Sequence, residues 1–231
     1  MSILRIVATP IGNLEDITLR ALRVLKESAA ILCEDTRVTR KLLDHYEIKT
    51  PTISYHQHSG DLKVDKIIEL LRAGKDLALV TDAGTPGVSD PGGKLVSLAR
   101  QALGADLKVE SVPGASALAA ALSIAGAGFD RFLFLGFLPH KKGRQTMLQE
   151  IFESDYPAVV YESKHRIVKL LEELTKMSRE VELPVQVIVA RELTKMFENL
   201  YSGTPAEVLA SLQSDANNLK GEFVVLIKKA I

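Results

Sequence analysis

The stretch Asp82-Ala83-Gly84-Thr85-Pro86-Gly87-Val88-Ser89-Asp90-Pro91-Gly92-Gly93 holds four glycines and two prolines in twelve positions. It follows a continuous apolar run and leads into a helical pattern. Glycines there let backbone approach a ligand closely. Asp82 and Asp90 bracket the loop, and carboxylates repel phosphate. Neither the Walker spacing nor G-x-G-x-x-G is present. Carboxylates beside exposed backbone suit a ligand with hydroxyls and positive charge, such as a nucleoside bearing an amine or a sulfonium. A tight turn with Asp90 as helix cap and Pro91 at the first helical position is the plain structural alternative for that end of the loop.

Two further strand-to-helix turns stand out. Ala8-Thr9-Pro10-Ile11-Gly12-Asn13 is by itself no more than a Pro/Gly turn. Val112-Pro113-Gly114-Ala115-Ser116-Ala117 resembles a serine-hydrolase nucleophile elbow, but Leu118 stands where the closing glycine belongs. In Glu34-Asp35-Thr36-Arg37 two adjacent acids cannot both face inward. One is expected to cap the next helix, leaving the other as a candidate general base with Arg37 as an anion contact. The five histidines and the lone Cys33 form no metal-ligand spacing; His56 and His58 lack a third ligand nearby, so no metal is expected. Basic clusters occur at Arg37-Arg40-Lys41, Lys141-Lys142-Gly143-Arg144 and Lys164-His165-Arg166. They are solvated faces unless they line one groove.

The elements that must position these turns alternate in the first half. Strands are expected at Ile3–Ala8, Ala29–Cys33, Thr52–Tyr55, Leu77–Thr81 and Leu107–Val112. Between them lie helices from Asp16 (as N-cap) to Lys26, near Val38–Asp44, around Val64–Leu71, and from Pro91 to Leu103; another follows over Ala115–Ala125. Such alternation predicts a mostly parallel sheet covered on both faces, with ligands beyond the carboxyl ends of the strands. The turns after Ala8, Cys33, Thr81 and Val112 then share that edge. The second half reads as a mixed sheet. Its strands are Phe132–Phe137, Ala158–Tyr161, Val185–Ala190, Asn199–Ser202 and Phe223–Ile227, the third and fourth suited to antiparallel pairing. Its helices are Arg144–Phe152, His165–Lys176 and Ala206–Leu212. An α/β chain of two lobes, 1–118 and 119–231, is therefore expected. The pentapeptide ELTKM occurs at Glu173–Met177 and Glu192–Met196 without implying a repeat.

Composition bounds the partners. Apolar residues make up 46% and charged residues 25% of 231, an ordinary globular profile. Basic and acidic residues balance at 29 each, and again at 15 each within 1–118. A nucleic-acid partner would have to be gripped by a local patch. One cysteine excludes an internal disulfide, and no signal peptide or membrane-length apolar run is seen, so a cytoplasmic location is expected.

Taken together, the motifs ATPIGNLEDIT (8–18), CEDTR (33–37), TDAGTPGVSDPG (81–92), VPGASA (112–117), GFLP (136–139), VYES-x-HR (160–166), ARELTK (190–195) and KGEFV (220–224) resemble the tetrapyrrole methylase superfamily, the class III S-adenosylmethionine-dependent methyltransferases. They resemble in particular its ribosomal RNA branch, which methylates ribose 2′-oxygens of 16S rRNA. The motifs occur in family order over nearly the whole chain. Relatives acting on tetrapyrroles carry a G-x-G-P-G-D first turn in place of Ala-Thr-Pro-Ile-Gly-Asn. The resemblance implies a two-lobed fold that binds S-adenosyl-L-methionine in the cleft between lobes, and a homodimer. It implies cofactor contacts from Pro10, Asp82, Ala83, Gly84, Thr85, Val88, Ser116 and Ala117, with Glu162 and Leu193 at second-lobe positions. Close relatives continue into a small helical C-terminal segment, whereas this sequence stops at Ile231.

The acceptor expected on that basis is a cytidine ribose in small-subunit ribosomal RNA, within an assembled or assembling subunit. Glu34 or Asp35 is the expected base, with Arg37 holding a neighbouring phosphate and Glu162 and Arg191 in reserve. RNA phosphates are expected at Arg37, Lys141, Lys142, Lys164 and Arg166. The competing readings are a tetrapyrrole or protein-side-chain methyltransferase, and a non-catalytic RNA-binding module.

Overall fold

The structure, a computed structural model, describes residues 1–56, 61–90, 92–126 and 129–230. His58 and Pro91 lie outside the described residues. The chain divides into two compact units, Met1–Ser116 and Ala117–Ile231.

Unit 1 is a five-stranded sheet in the order β3-β2-β4-β1-β5, with every neighbouring pair parallel. Its strands are β1 (Ser2–Val7), β2 (Ala30–Cys33), β3 (Thr52–Ser54), β4 (Leu77–Leu79) and β5 (Leu107–Val112). The helices are α1 (Leu19–Glu27), α2 (Thr36–His45), α3 (Asp61–Arg72) and α4 (Gly92–Leu103). Alternation along each strand supplies both faces of the sheet. Leu4, Leu32, Leu77 and Leu79 pack with Ile67 and Leu71 of α3 and Leu95 and Ala99 of α4. Val7, Ile31, Cys33 and Ala78 pack with Leu25 of α1 and Leu43 of α2. This two-sided burial is why the central strands read as unbroken apolar runs.

Helix α1 starts two residues later than its acidic residues suggest. The Thr18 hydroxyl, not Asp16, caps it by accepting the Ala21 amide at 3.0 Å. Asp16 instead ends a short 3-10 turn that Asn13 caps. Asp35 is the acid that caps α2.

Unit 2 contains α5 (Ala117–Ile124), β6 (Leu133–Phe137), α6 (Arg144–Glu153), β7 (Ala158–Ser163), α7 (Ile167–Glu180), β8 (Val185–Arg191), β9 (Asn199–Gly203), α8 (Pro205–Gln213) and β10 (Glu222–Lys229). Its sheet runs β6-β7-β10-β8-β9; β6 and β7 are parallel and the other pairs antiparallel, including β8 with β9. Val160, Val187, Val189 and Val225 form the core face against Leu148 of α6, Leu171 and Leu174 of α7 and Val208 of α8.

Candidate functional site

The turns that leave the carboxyl edge of the unit 1 sheet are bonded to one another. Thr9 and Gly84 exchange two backbone hydrogen bonds, at 2.9 and 3.0 Å, although 75 residues of chain separate them. The buried Thr9 hydroxyl donates to the Thr81 carbonyl at 3.1 Å. The Ala8 amide donates to Val112, and the Thr85 hydroxyl to the Ala115 carbonyl at 3.1 Å. The Asp35 amide donates to the Asp82 carboxylate at 3.1 Å. Four turns, following β1, β2, β4 and β5, thus form one frame.

Glycine is required at particular points of that frame. Gly84 has φ +82°, a region costly to side chains, and a Cβ there would meet Ile11. Gly92 leaves no room at all, since a Cβ would lie 2.9 Å from the Gly87 nitrogen. The Asp90 carboxylate accepts both the Gly87 and Gly92 amides, at 2.7 and 2.8 Å, closing the loop on itself. Asp90 therefore has a structural duty, as its position before a helix suggested.

Of the residues expected near a cofactor, the frame gathers Pro10, Asp82, Ala83, Gly84, Thr85, Val88 and Ser116 within unit 1. Asp82 and Ala83 are exposed; Pro10, Thr85, Val88 and Ser116 are partly buried. Ala117 opens α5 and belongs to unit 2. Leu193 is buried just after β8.

The two adjacent acids differ in chemistry. Arg37 grips Asp35 through Nε and Nη2, the latter at 2.6 Å, and this holds the carboxyl down at about 2. Glu34 is exposed, yet partial desolvation, then the Asp82 and Asp90 charges, raise its carboxyl from the ordinary glutamate value, with His56 working against them. Glu34 thus holds a proton more firmly than an ordinary carboxylate, and Asp35 hardly at all. The Cys33 thiol is buried in the core and pushed up by that burial, which suits an inert side chain. Among the described residues no cluster of histidine, cysteine or carboxylate could hold a metal.

In unit 2 the carboxyl ends of β6 and β7 lie side by side, so the loops that follow them, with Lys141 and Lys142 on one and Lys164 on the other, emerge at the same edge. All three lysines are exposed. A buried ionic network underpins the two loops. Glu162, 1% exposed, pairs with Arg166 at 2.8 Å and faces Arg144 at 3.8 Å; Arg144 pairs with Glu173 of α7 at 2.7 Å. Arg166 also donates to the Leu138 carbonyl at 2.8 Å. The Glu162 and Arg166 side chains are accordingly engaged within unit 2. Arg191 is spent on carbonyls of Phe197, Asn217 and Lys220. Residue types alone did not reveal this network. Arg144 sits in a lysine-rich run, the pattern of a solvated face, yet is 3% exposed.

A frame of strand-end turns, rich in carboxylates and exposed backbone, is suited to a cationic nucleoside rather than a phosphate. Residues 4–209 match the family of Tetrapyrrole (Corrin/Porphyrin) Methylases, and the chain belongs to that family. Its similarity is to proteins named Ribosomal RNA small subunit methyltransferase I. That of Xylella fastidiosa is 44% identical over 98% of this chain and 81% of its own, and that of Pseudomonas aeruginosa 46% identical over 96% and 77%. Uroporphyrin-III C-methyl transferase from Thermus thermophilus, solved in complex with S-adenyl homocysteine, shares the fold. Its TM-score is 0.60 at 20% identity, covering 98% of this chain and 97% of that one.

Proposed function

We propose that this protein is an S-adenosyl-L-methionine-dependent methyltransferase acting on small-subunit ribosomal RNA, with a cytidine ribose 2′-oxygen as acceptor. The observation that carries the reading is the Thr9–Gly84 bridge, which sets the first turn beside the glycine loop at the carboxyl edge of unit 1. Pro10, Asp82, Ala83, Gly84, Thr85, Val88 and Ser116 are the unit 1 residues proposed to hold the cofactor. Ala117, Glu162 and Leu193 are the unit 2 positions, with the Glu162 carboxylate itself engaged by Arg144 and Arg166. When bound, S-adenosyl-L-methionine supplies a methyl group activated by its sulfonium.

The protein's part is alignment, exclusion of water and removal of one proton. A ribose hydroxyl attacks well only as it loses its proton. Glu34 is the proposed acceptor of that proton, because its raised pKa makes it the stronger base of the adjacent pair. With the cofactor in place, its sulfonium would give up the methyl group to the ribose oxygen, and Glu34 would take the proton that the hydroxyl loses. Arg37, Lys141, Lys142, Lys164 and Arg166 are the proposed phosphate contacts. For Arg37 this is limited to the guanidinium edge that Asp35 leaves open, and for Arg166 to the edge left by Glu162 and the Leu138 carbonyl. A homodimer and a requirement for the assembling subunit belong to the same proposal.

Incubating the purified protein with methyl-labelled cofactor and small subunits that lack modifications, then mapping the label, tests this directly. Label on a cytidine ribose is the expected result. Label on a base, or on a ribosomal protein, would move the acceptor; no label with cofactor bound would remove the activity.

A further inference from the structure

Regular alternation along β6 would place Phe134 and Phe137 on opposite faces of the sheet, because they are three residues apart. They are instead on the same face. A register shift between Phe134 and Gly136, with Gly136 at φ +59°, adds one residue and reverses the parity of the remainder of the strand. Phe134 and Phe137 both meet the Tyr161 ring of β7 edge-on, with centroids 5.1 and 5.5 Å away. Leu138, one step on, is buried in the opposite, helix-covered core. The bulge thus turns Phe137 out, and it remains 52% exposed on an edge strand.

The loops that follow β6 and β7 bring cations to this end of the sheet. The Arg166 guanidinium carbon lies 5.9 Å from the Phe137 ring centroid. The loop after β6 carries Lys141 and Lys142, and the loop after β7 carries Lys164; among the described residues none of the three is in an ion pair. Both loops are fixed from below. Arg166 bonds Glu162 and the Leu138 carbonyl, and Arg144 bonds Glu173 and reaches the Pro139 carbonyl at 3.4 Å. An exposed aromatic re-aimed by a bulge and flanked by lysines on braced loops matches what a single-stranded nucleic acid needs: a stacking surface for a base and cations for the phosphates beside it.

We propose that Phe137 is a stacking platform for an unpaired nucleobase of the RNA substrate, with Lys141, Lys142 and Lys164 on the adjoining phosphates and Arg166 backing the ring. This rests on RNA being the substrate and adds how an unpaired nucleotide is gripped. Arg166 acts here as a positioning residue, its guanidinium held by Glu162.

The probe is a fluorescently labelled single-stranded RNA decamer of mixed sequence, titrated at several salt concentrations. Phe137→Ala is expected to weaken binding about tenfold or more without changing the salt slope, and Phe137→Trp to restore it. The K141Q/K142Q/K164Q triple variant is expected to flatten the slope of log affinity against log salt by about 2. Phe137→Leu, which keeps apolar bulk and loses the π-face, should behave like alanine and covers the case in which alanine perturbs folding. Wild-type affinity in both Phe137→Ala and Phe137→Leu overturns the platform. So does a change in sedimentation of those variants with RNA affinity intact, which would assign Phe137 to contact with a second copy. Failure of the unaltered protein to bind the decamer while it still labels small subunits would also overturn the platform, whereas failure to label the subunits at all would count against RNA as the substrate.

Discussion

At the residue scale the most consequential contrast is between neighbours Glu34 and Asp35. Both sit after β2, yet Arg37 and the helix amides claim Asp35, while partial desolvation and the Asp82 and Asp90 charges raise Glu34. If Glu34 takes the acceptor proton, Glu34→Gln should slow single-turnover methyl transfer about 100-fold or more, with cofactor affinity retained. Asp35→Asn should do far less. A base must be deprotonated to act, so activity should rise with pH as Glu34 ionises. Removing the Asp82 charge lowers the Glu34 pKa, so Asp82→Asn should move the acid limb of the rate profile to lower pH. An unmoved limb in that variant would take Glu34 out of the step. The two acids were legible as a pair from sequence, but not their division of labour: Glu34 is raised by desolvation and by Asp82 and Asp90, which lie far along the chain.

At the scale of elements, most strands and helices were readable because two-sided burial writes itself as apolar runs and helical stripes. What escaped were charges whose fate is settled by distant partners. Arg144 bonds Glu173 across 29 residues, and Glu162 is enclosed with it. Replacing Glu162 by alanine leaves two arginines without their shared carboxylate. The expected cost is about 3–5 kcal/mol, measured by urea unfolding, whereas an exposed pair such as Arg23–Glu27 should cost under about 1 kcal/mol. The repeated ELTKM shows the limit of local reading most directly. Its first copy is part of α7. Its second, after β8, places Glu192 and Thr194 at φ +49° and +65°, with Glu192 held by Lys195 and by the Glu222 amide. The same five residues take two conformations because neighbours from β10 outweigh helix propensity.

At the scale of the whole molecule, balanced charge means that any grip on RNA is local, as the paired lysine loops of unit 2 suggest. Each unit also has its own apolar core, one sheet wrapped on two faces and the other packed against α6, α7 and α8. A cavity placed in α7 by Leu171→Ala should cost about 2–5 kcal/mol. Hydrogen exchange read peptide by peptide should show the loosening in 144–229 first; equal acceleration in β1 and β4 would mean that the two cores melt as one. The change in strand texture led to an expected boundary after residue 118, and the compact units divide between Ser116 and Ala117. The bulge that exposes Phe137 was not foreseeable, because Gly136 in a strand reads equally as a weak point or a deliberate kink.

The reciprocal pair of hydrogen bonds between Thr9 and Gly84 has a kinetic corollary. Both amides lie outside the regular strands, where protons ordinarily trade with solvent in moments, yet each is clamped by the other's carbonyl. These two positions should retain deuterium on the timescale of β1 itself, as a rivet that stays shut whether or not a ligand is present, while Asp82 and Ala83 beside them wash out early.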